Sequence, residues 1–328
     1  MVMEGKGLTV LVATRQAGHY ARMIEERFPG IRVIAAELLV ETEENRVQGD
    51  VEEVEVVVAA APLRYTMPRI RNLRWFQALS AGYEHILKSG LIRKETILTS
   101  AAGVAAIPVS ETVMGFMLSL VKRFPQMWQR QRERRLERRV GESGELYGKR
   151  VGVLGLGNIG RHVAKKAKMG FEMEVLGYDL RLPRDVPVDA FYGPGRLQEV
   201  LEQSDFVVIC LPLTDQTKGL IGEEELRSMK ESSYLINVAR GEIVVKEALV
   251  KALKERWIAG AALDVYWGDP TVNLLAPEDE LWQFDNVILT PHNAATTDRY
   301  LPRAFDLFCA NLERFIRGEE LINLVSER

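Results

Sequence analysis

The sequence predicts an α/β protein of two domains, each a parallel β-sheet with helices on both faces. Its 328 residues exceed what one ordinary hydrophobic core accommodates. Short apolar runs with strand character alternate with helical stretches along almost the whole chain, a pattern typical of parallel sheets. The alternation starts near the N-terminus and starts again at Arg150, so the two series indicate two doubly wound units.

The first series begins with the strand-like run LTVLVAT and the helical stretch YARMIEERF, followed by RVIAAE, VEVVVAAA, LRWFQALS and TILTS. A long helical region is then predicted from about Val109 to Arg139. Its basic end, RQRERRLERR, places Arg and Glu three residues apart, which favours a solvated helix face. A nucleic-acid patch is the alternative, and the lack of interleaved aromatic residues disfavours it.

The second series contains the strand-like runs RVGVLGL, EVLGYD, FVVICLP, YLINVA, AGAALDVY and NVILTPH. Helical stretches such as EEELRSMK and KEALVKALKER lie between them. A final helix is predicted in the tail, with Gly318 as its stop. Its apolar residues follow helical spacing and form one stripe: Leu301, Phe305, Phe308, Leu312 and Phe315.

The overall composition is that of a soluble globular protein, with 47% hydrophobic and 27% charged residues. A net charge of −3 gives no reason to expect nucleic acid or an anionic membrane as a partner. Cys210 and Cys309 belong to no CxxC pair or Cys/His cluster, so neither a disulfide framework nor a metal site is expected. The apolar stretch 104–121 contains Pro108 and Glu111, so we expect a buried helix rather than a membrane span. With no targeting segment visible, a cytoplasmic location is expected.

A glycine-rich turn is the clearest binding motif. Gly155, Gly157 and Gly160 form G-x-G-x-x-G between an apolar strand and a helical stretch, and Asp179 ends the next strand. These glycines permit a tight turn, close approach of a pyrophosphate and close helix–strand packing. The helix N-terminus attracts the phosphates, and the acid accepts hydrogen bonds from ribose hydroxyls. NAD is therefore the expected cofactor, although the neighbouring Arg181 could accommodate the extra phosphate of NADP.

Three polar residues follow later strands of the same series. Arg240 follows YLINVA, Asp269 lies beyond AGAALDVY, and His292 follows NVILTP. Because the carboxyl ends of parallel strands meet at one edge, we expect these side chains to converge there. Reduction of a 2-keto acid needs a cation for the substrate carboxylate, a proton donor for the carbonyl oxygen and a carboxylate that supports the imidazolium. Arg240, His292 and Asp269 are predicted to take these three roles.

Over nearly all its length the chain resembles the D-isomer-specific 2-hydroxyacid dehydrogenases. The segments that carry the resemblance are GLGNIGR, LPLTDQTKGLIGEEELRSMK, LINVARGE, AALDVY and NVILTPHNA, in the order that the family has them. The stretch LRWFQALSAGYEHIL is similar to the substrate-side loop of the glyoxylate/hydroxypyruvate reductase branch. The resemblance implies that backbone N–H groups near Ala81 and Gly82 bind the substrate carboxylate. The residues implied to contact NAD are Asn158, Ile159, Asp179, Leu211, Val238 and Asp264.

The resemblance also implies the domain organisation and the oligomeric state. Residues 1–102 and 292–328 are expected to form a discontinuous, flavodoxin-like substrate domain, with a Rossmann NAD-binding domain, residues 103–291, inserted into it. The long helix before Arg150 is implied to form the contact of a homodimer. One departure concerns Asp269, where the family usually has Glu. Its side chain is shorter by one methylene, a loss of about 1.5 Å of reach.

These observations predict an NAD(H)-dependent 2-hydroxyacid dehydrogenase that reduces a small 2-keto acid such as glyoxylate or hydroxypyruvate. One alternative is D-3-phosphoglycerate dehydrogenase, whose phosphorylated substrate would want additional cations. Four arginines lie in the segment where such cations would be needed, namely Arg64, Arg69, Arg71 and Arg74. The other alternative is an NAD-sensing binding protein that keeps the dehydrogenase fold.

Overall fold

The computed structural model describes residues 7–37, 51–59, 70–83, 86–87, 90–136, 142–268 and 275–325. The chain forms two compact units, one of residues 1–105 and 297–328 and the other of residues 106–296. Both boundaries fall a few residues later than the predicted ones. Residues 292–296 stay with the second unit because the backbone N–H groups of Asn293 and Ala294 donate to the Asp264 carboxylate, at 3.0 and 3.1 Å.

The first unit is a five-stranded sheet in the order β2-β1-β3-β4-β5, with every pair of neighbouring strands parallel. This is the flavodoxin-like order, as predicted. Its elements are β1 (Thr9–Thr14), α1 (Ala17–Arg27), β2 (Arg32–Glu37), β3 (Val56–Ala59), β4 (Trp75–Ala78), β5 (Ile97–Thr99) and, from the end of the chain, α8 (Tyr300–Arg317).

Helices α1 and α8 cover one face of this sheet. The predicted stripe on α8 is confirmed, since Phe305, Phe308 and Leu312 are fully buried and Gly318 ends the helix with φ 70°. The ring of Phe305 stacks on Tyr20 of α1 at 3.7 Å between centroids, and Phe308 stacks on Trp75 of β4 at 5.3 Å. These contacts attach the C-terminal helix to a sheet formed by the start of the chain.

One continuous helix was predicted from about Val109 to Arg139, and this prediction is wrong. The described residues form two helices, α2 (Ala106–Val121) and α3 (Phe124–Arg132), separated at Arg123, whose φ of 59° is left-handed. Pro125 lies in the first turn of α3, where its missing N–H costs nothing, whereas inside a continuous helix it would remove a hydrogen bond.

The second unit is a seven-stranded sheet in the order β12-β11-β10-β9-β6-β7-β8, again with parallel neighbours throughout. Its first six strands in chain order have the Rossmann arrangement, so the predicted fold class is confirmed. The strands are β6 (Arg150–Leu154), β7 (Glu174–Tyr178), β8 (Ala190–Tyr192), β9 (Phe206–Ile209), β10 (Tyr234–Asn237), β11 (Gly260–Leu263) and β12 (Val287–Leu289). The helices are α4 (Asn158–Phe171), α5 (Leu197–Gln203), α6 (Glu223–Ser228) and α7 (Lys246–Lys254).

Strand β8, at the edge of the sheet, was not predicted, because three residues between polar and proline-rich segments carry little strand signal. The Lys166 ammonium of α4 donates to the Ser110 hydroxyl of α2 at 2.8 Å, which joins the two helices. Within the part of the chain that the structure describes, no helix has the length and apolar character needed to span a bilayer.

Candidate active site

The crevice of the second sheet lies where its strand order reverses. Strands β7 and β8 continue from β6 on one side, and β9 to β12 continue on the other. In an open α/β sheet this point, at the carboxyl ends of the strands, is where ligands bind. The segments following β6 and β9 meet there, since a Cβ added to Gly155 would lie 2.8 Å from the carbonyl carbon of Cys210.

The glycine turn has the backbone that its sequence requires. Gly155 has φ 96°, which L side chains rarely adopt. A Cβ on Gly160 would lie 1.8 Å from the carbonyl oxygen of Gly155, so only glycine lets α4 pack this closely against the strand end. A Cβ on Gly157 would meet nothing within 4 Å, so the space in front of that residue is open. No side chain caps the N-terminus of α4, whose first N–H groups and positive dipole end remain available for a phosphate.

Asp179 follows β7 and is held against this turn. One of its carboxylate oxygens accepts a hydrogen bond from the N–H of Leu156, and the other accepts one from the N–H of Leu180, both at 2.6 Å. The half-buried carboxylate therefore has a fixed orientation beside the glycine turn. Arg181, the residue that could favour NADP, is exposed.

Leu211 follows β9 and Val238 follows β10, and both are buried at the same edge of the sheet. Next to Leu211, burial raises the pKa of the Cys210 thiol to about 12. A thiol with this pKa stays protonated near neutral pH and is a poor nucleophile. The apolar character of these positions suits contact with the faces of a cofactor rather than reaction with it.

Arg240 lies two residues beyond Val238, in a loop held by Asn237. The Asn237 amide donates to the carbonyl of Arg240 at 2.9 Å and accepts from the N–H of Ala239 at 3.1 Å. The Arg240 guanidinium donates to the carbonyl of Ala239 at 2.8 Å, and it forms no ion pair with a carboxylate of the described residues. A planar cation held in this way can bind a carboxylate with two parallel hydrogen bonds.

Asp264 follows β11 and organises the loop that carries His292. The residue is buried, with 3% of its surface exposed, and its carboxylate accepts three hydrogen bonds. The donors are the Thr290 hydroxyl at 2.6 Å and the N–H groups of Asn293 and Ala294. Tyr266 donates its hydroxyl to the carbonyl of Thr290 at 2.8 Å, so the loop is held from two positions.

His292 has a strained backbone and a pKa below its ordinary value. Its φ of 52° lies in the left-handed region, and its N–H donates to the carbonyl of Thr290 at 2.9 Å. The residue is exposed at the surface, yet the protein around the imidazole still desolvates it and lowers its pKa. The Asp264 carboxylate opposes this by raising the pKa, and the positive charge of Arg240 lowers it further. Asp264 and Arg240 therefore both lie near enough to His292 to act on its imidazole electrostatically.

A nearby carboxylate raises the pKa of His292, as expected of a partner, but the net pKa lies below its ordinary value. Desolvation outweighs the carboxylate, and the carboxylate that acts on the imidazole in the described structure is Asp264. Asp269, the predicted partner, lies outside the described residues. Ala81 and Gly82 follow β4 in the first unit, and their binding of substrate stays a prediction.

Sequence reasoning missed several residues that hold the site together: Asn237, Thr290 and Tyr266. Each follows or ends a strand of the second sheet, and that position was the available signal. Their polar atoms bond to backbone or to Asp264, so their role depends on loop geometry that the sequence does not specify.

The second unit has the features of the cofactor domain of an NAD-dependent dehydrogenase: Rossmann strand order, an uncapped helix behind a glycine turn, and a cation and an imidazole at the same edge. Residues 114–294 match the family model described as D-isomer specific 2-hydroxyacid dehydrogenase, NAD binding domain. A glyoxylate reductase of Thermofilum pendens is 39% identical over 256 residues, which cover 76% of this chain and 73% of that protein. The chain belongs to the D-isomer-specific 2-hydroxyacid dehydrogenase family.

Solved structures agree with this assignment. A D-isomer specific 2-hydroxyacid dehydrogenase family protein from Aeromonas salmonicida matches with a TM-score of 0.84 and 28% identity, covering 98% of this chain and 99% of that one. A D-isomer specific 2-hydroxyacid dehydrogenase from Xanthobacter autotrophicus, solved in complex with NADPH and MES, matches with a TM-score of 0.78 and 29% identity over 98% of both chains. The protein is an oxidoreductase, and the open space at Gly157 and the uncapped α4 fit NAD.

Proposed function

We propose that this enzyme reduces a small 2-keto acid, with glyoxylate or hydroxypyruvate as substrate, and that Arg240 and His292 carry the reaction. The observation that supports this most directly is that Arg240, Asp264 and His292 follow neighbouring strands at the carboxyl edge of the sheet that bears the glycine turn, where Arg240 and Asp264 both act on the imidazole of His292. A carboxylate-binding cation beside a titratable proton donor is the arrangement that the reduction of a 2-keto acid requires.

In the proposed mechanism Gly155, Gly157 and Asp179 would hold NADH, which would supply a hydride when bound. The Arg240 guanidinium binds the substrate carboxylate and orients the carbonyl group. His292 donates its proton to the carbonyl oxygen as negative charge develops there, and it accepts that proton in the reverse direction. Asp264 stabilises the imidazolium and keeps the loop in position. Asp269 remains proposed as a further carboxylate partner of the imidazole.

The two units are proposed to divide these tasks. The second unit would bind NAD, with Asn158, Ile159, Leu211, Val238 and Asp264 among its contacts. The first unit would bind substrate through the backbone N–H groups of Ala81 and Gly82. The family resemblance supports this division. The glycine turn and Arg240 both lie within residues 106–296, which form the second unit.

D-3-phosphoglycerate dehydrogenase activity is the alternative within the family. Arg71 and Arg74 precede β4 and therefore lie towards its amino end, away from the loop that follows Ala78. Arg74 also pairs with Glu55 at 3.0 Å and lies over the Phe315 ring. Their position disfavours both arginines as phosphate ligands, and the contacts of Arg74 disfavour that residue further. Arg64 and Arg69 lie outside the described residues.

Steady-state assays separate the candidates. Purified enzyme with NADH is expected to reduce glyoxylate or hydroxypyruvate with a higher kcat/KM than it reduces 3-phosphohydroxypyruvate. Preference for the phosphorylated acid would favour the alternative. Binding of NADH without turnover of any acid in the panel would instead favour an NAD-sensing protein.

The cofactor preference is a testable consequence of Asp179. Because its carboxylate is fixed beside the glycine turn, it should repel the 2′-phosphate of NADPH. We expect kcat/KM with NADH to exceed that with NADPH by about 100-fold, and Asp179→Ser to reduce this ratio strongly. The ratio of the kcat/KM values for NADH and NADPH is obtained by varying each cofactor at several fixed concentrations of glyoxylate. A wild-type preference for NADPH would show that Arg181 governs the pocket instead.

A homodimer is proposed from the exposed apolar side chains of α3. Phe124, Met127 and Trp128 are 38%, 37% and 54% exposed, and the family resemblance implies a subunit contact in this region. Wild type is expected to sediment as a dimer and Trp128→Glu as a monomer, since burying a charge in an interface is costly. Trp282→Glu, at an equally exposed tryptophan, is the control and should remain dimeric. A monomeric wild type would refute the proposal.

A cytoplasmic location is likewise a proposal. Both cysteines, Cys210 and Cys309, are free thiols in the structure. Free thiols persist most readily in a reducing compartment.

A further inference from the structure

The loop that follows β4 is held by contacts that neither its own sequence nor the family motifs assign. Its residues are Leu79 to Gly82, with Ala81 and Gly82 as the proposed carboxylate-binding pair. Leu79 continues the sheet, since its N–H donates to the carbonyl of Ala59 at 2.8 Å. Tyr300, the first residue of α8, donates its hydroxyl to the carbonyl of Leu79 at 2.9 Å.

Ser80 fixes the remainder of this loop. Its hydroxyl donates to the carbonyl of Gly82 at 2.7 Å and so closes a turn around Ala81. Its carbonyl accepts from the N–H of Ala101, in the segment following β5, at 2.9 Å. Three connections, to α8, to the segment after β5 and within the turn, therefore fix the direction of the loop backbone. Backbone N–H groups can bind an anion strongly only when their direction is set beforehand.

We propose that Tyr300 and Ser80 are positioning residues that hold the Leu79–Gly82 loop in the conformation that binds the substrate carboxylate. This inference rests on the proposed function. Neither side chain is required to touch the substrate. They act by fixing the carbonyl groups of Leu79 and Gly82, on both sides of Ala81, and so restrict the backbone between them.

The chemistry of Tyr300 suits a permanent hydrogen-bond donor. Burial raises the pKa of its hydroxyl to about 12. The hydroxyl therefore remains protonated over the whole pH range in which the enzyme can be assayed. The ring is part of the apolar cluster formed by α1, α8 and the sheet, so replacement of the hydroxyl alone leaves the packing intact.

The test compares Tyr300→Phe with Tyr234→Phe. Tyr234 is also a half-buried tyrosine, but its hydroxyl has no hydrogen-bond partner among the described residues. Tyr300→Phe is expected to raise KM for glyoxylate about fivefold, as loss of one hydrogen bond would. It should leave kcat and the Kd of NADH nearly unchanged. Tyr234→Phe should change none of these constants. A purely structural defect would instead lower the active fraction, and hence kcat, without raising KM.

Ser80 supplies a second and independent arm. Ser80→Ala should raise KM for glyoxylate in the same way. Ser80→Thr, which retains a hydroxyl, should keep a KM close to that of wild type. Binding of oxamate, an unreactive analogue of a 2-keto acid, to the enzyme–NADH complex should weaken in parallel with KM. An unchanged KM and an unchanged oxamate Kd in both Tyr300→Phe and Ser80→Ala would overturn the inference.

Failure of the proposed function is distinguishable from failure of this inference. It would be seen in wild type, as lack of turnover with every 2-keto acid. In that case, oxamate binding together with amide exchange of Leu79–Gly82 still tests the positioning role. Loss of exchange protection and weaker oxamate binding in Tyr300→Phe would support the role, and wild-type values for both would refute it.

Discussion

Replacement of His292 by alanine is expected to lower kcat/KM for glyoxylate reduction by about 100- to 10,000-fold, the usual contribution of general acid catalysis. The variant should still bind NADH, since the glycine turn is untouched. For wild type, reduction requires the imidazolium, so its kcat/KM should fall as pH rises through the pKa of His292. Because desolvation and Arg240 hold this pKa below its ordinary value of about 6.5, the fall should begin on the acidic side of neutrality. Oxidation of the 2-hydroxy acid, which requires the neutral imidazole, should show the opposite trend.

The carboxylates near His292 can be separated by their effects on this pH profile. Asp264 raises the pKa of His292. Asp264→Asn should therefore move the alkaline limb of the pH profile, which is the fall of kcat/KM for reduction with rising pH, to lower pH. Thr290→Val is the matched control, because it removes the 2.6 Å hydrogen bond to Asp264 but leaves the charge in place. It should move the limb much less. Asp269→Asn tests the partner that the sequence indicates, and an unmoved limb would exclude Asp269 from that role. If His292→Ala retained the limb, a different group would have to be the proton donor.

Substitution of Arg240 by lysine is expected to raise KM for glyoxylate by about 10- to 100-fold, because lysine keeps the charge but cannot form two parallel hydrogen bonds to a carboxylate. The Kd of NADH should change little, because the guanidinium is proposed to bind the substrate carboxylate and not the cofactor. The alkaline limb should also stay near its wild-type position, since the positive charge that acts on His292 is preserved.

Arg240→Gln provides the complementary measurement. It removes the charge, so KM should rise further and the pKa of His292 should increase, moving the alkaline limb to higher pH. NADH titrations with both variants are the control. An equal loss of NADH affinity would assign Arg240 to the cofactor, and an unmoved limb in Arg240→Gln would show that the two side chains are not coupled.

The local patterns of the chain were sufficient to predict the glycine turn and its setting. Gly155, Gly157 and Gly160 stand between an apolar strand and a helical stretch, and their spacing alone carries the geometric requirement. Parallel strands with their carboxyl ends at one edge also followed from the alternation of apolar runs. The positions of Asp179, Arg240 and His292 along the chain therefore predicted that all three follow strands at one edge of the sheet, where we propose the site.

Other features were missed. The break at Arg123 had a local signal in Pro125, but the helical composition on both sides of it outweighed that signal in the prediction. Strand β8 was missed because its three residues become a strand only through pairing with β7. The contact of Tyr300 with Leu79 joins residues at opposite ends of the chain, and no spacing rule predicts such a pair.

The sequence by itself determined the alternation of elements, the cofactor turn and the types of residue that can reduce a 2-keto acid, since these depend on composition and short spacing. The tertiary structure decided the electrostatics of the site. The pKa of His292 falls because the fold desolvates the imidazole and lets Arg240 act on it, and Asp264 is its carboxylate partner within the described residues because β11 and β12 are neighbours. Burial and distance between remote residues are properties of packing, so they arise only when the chain is folded.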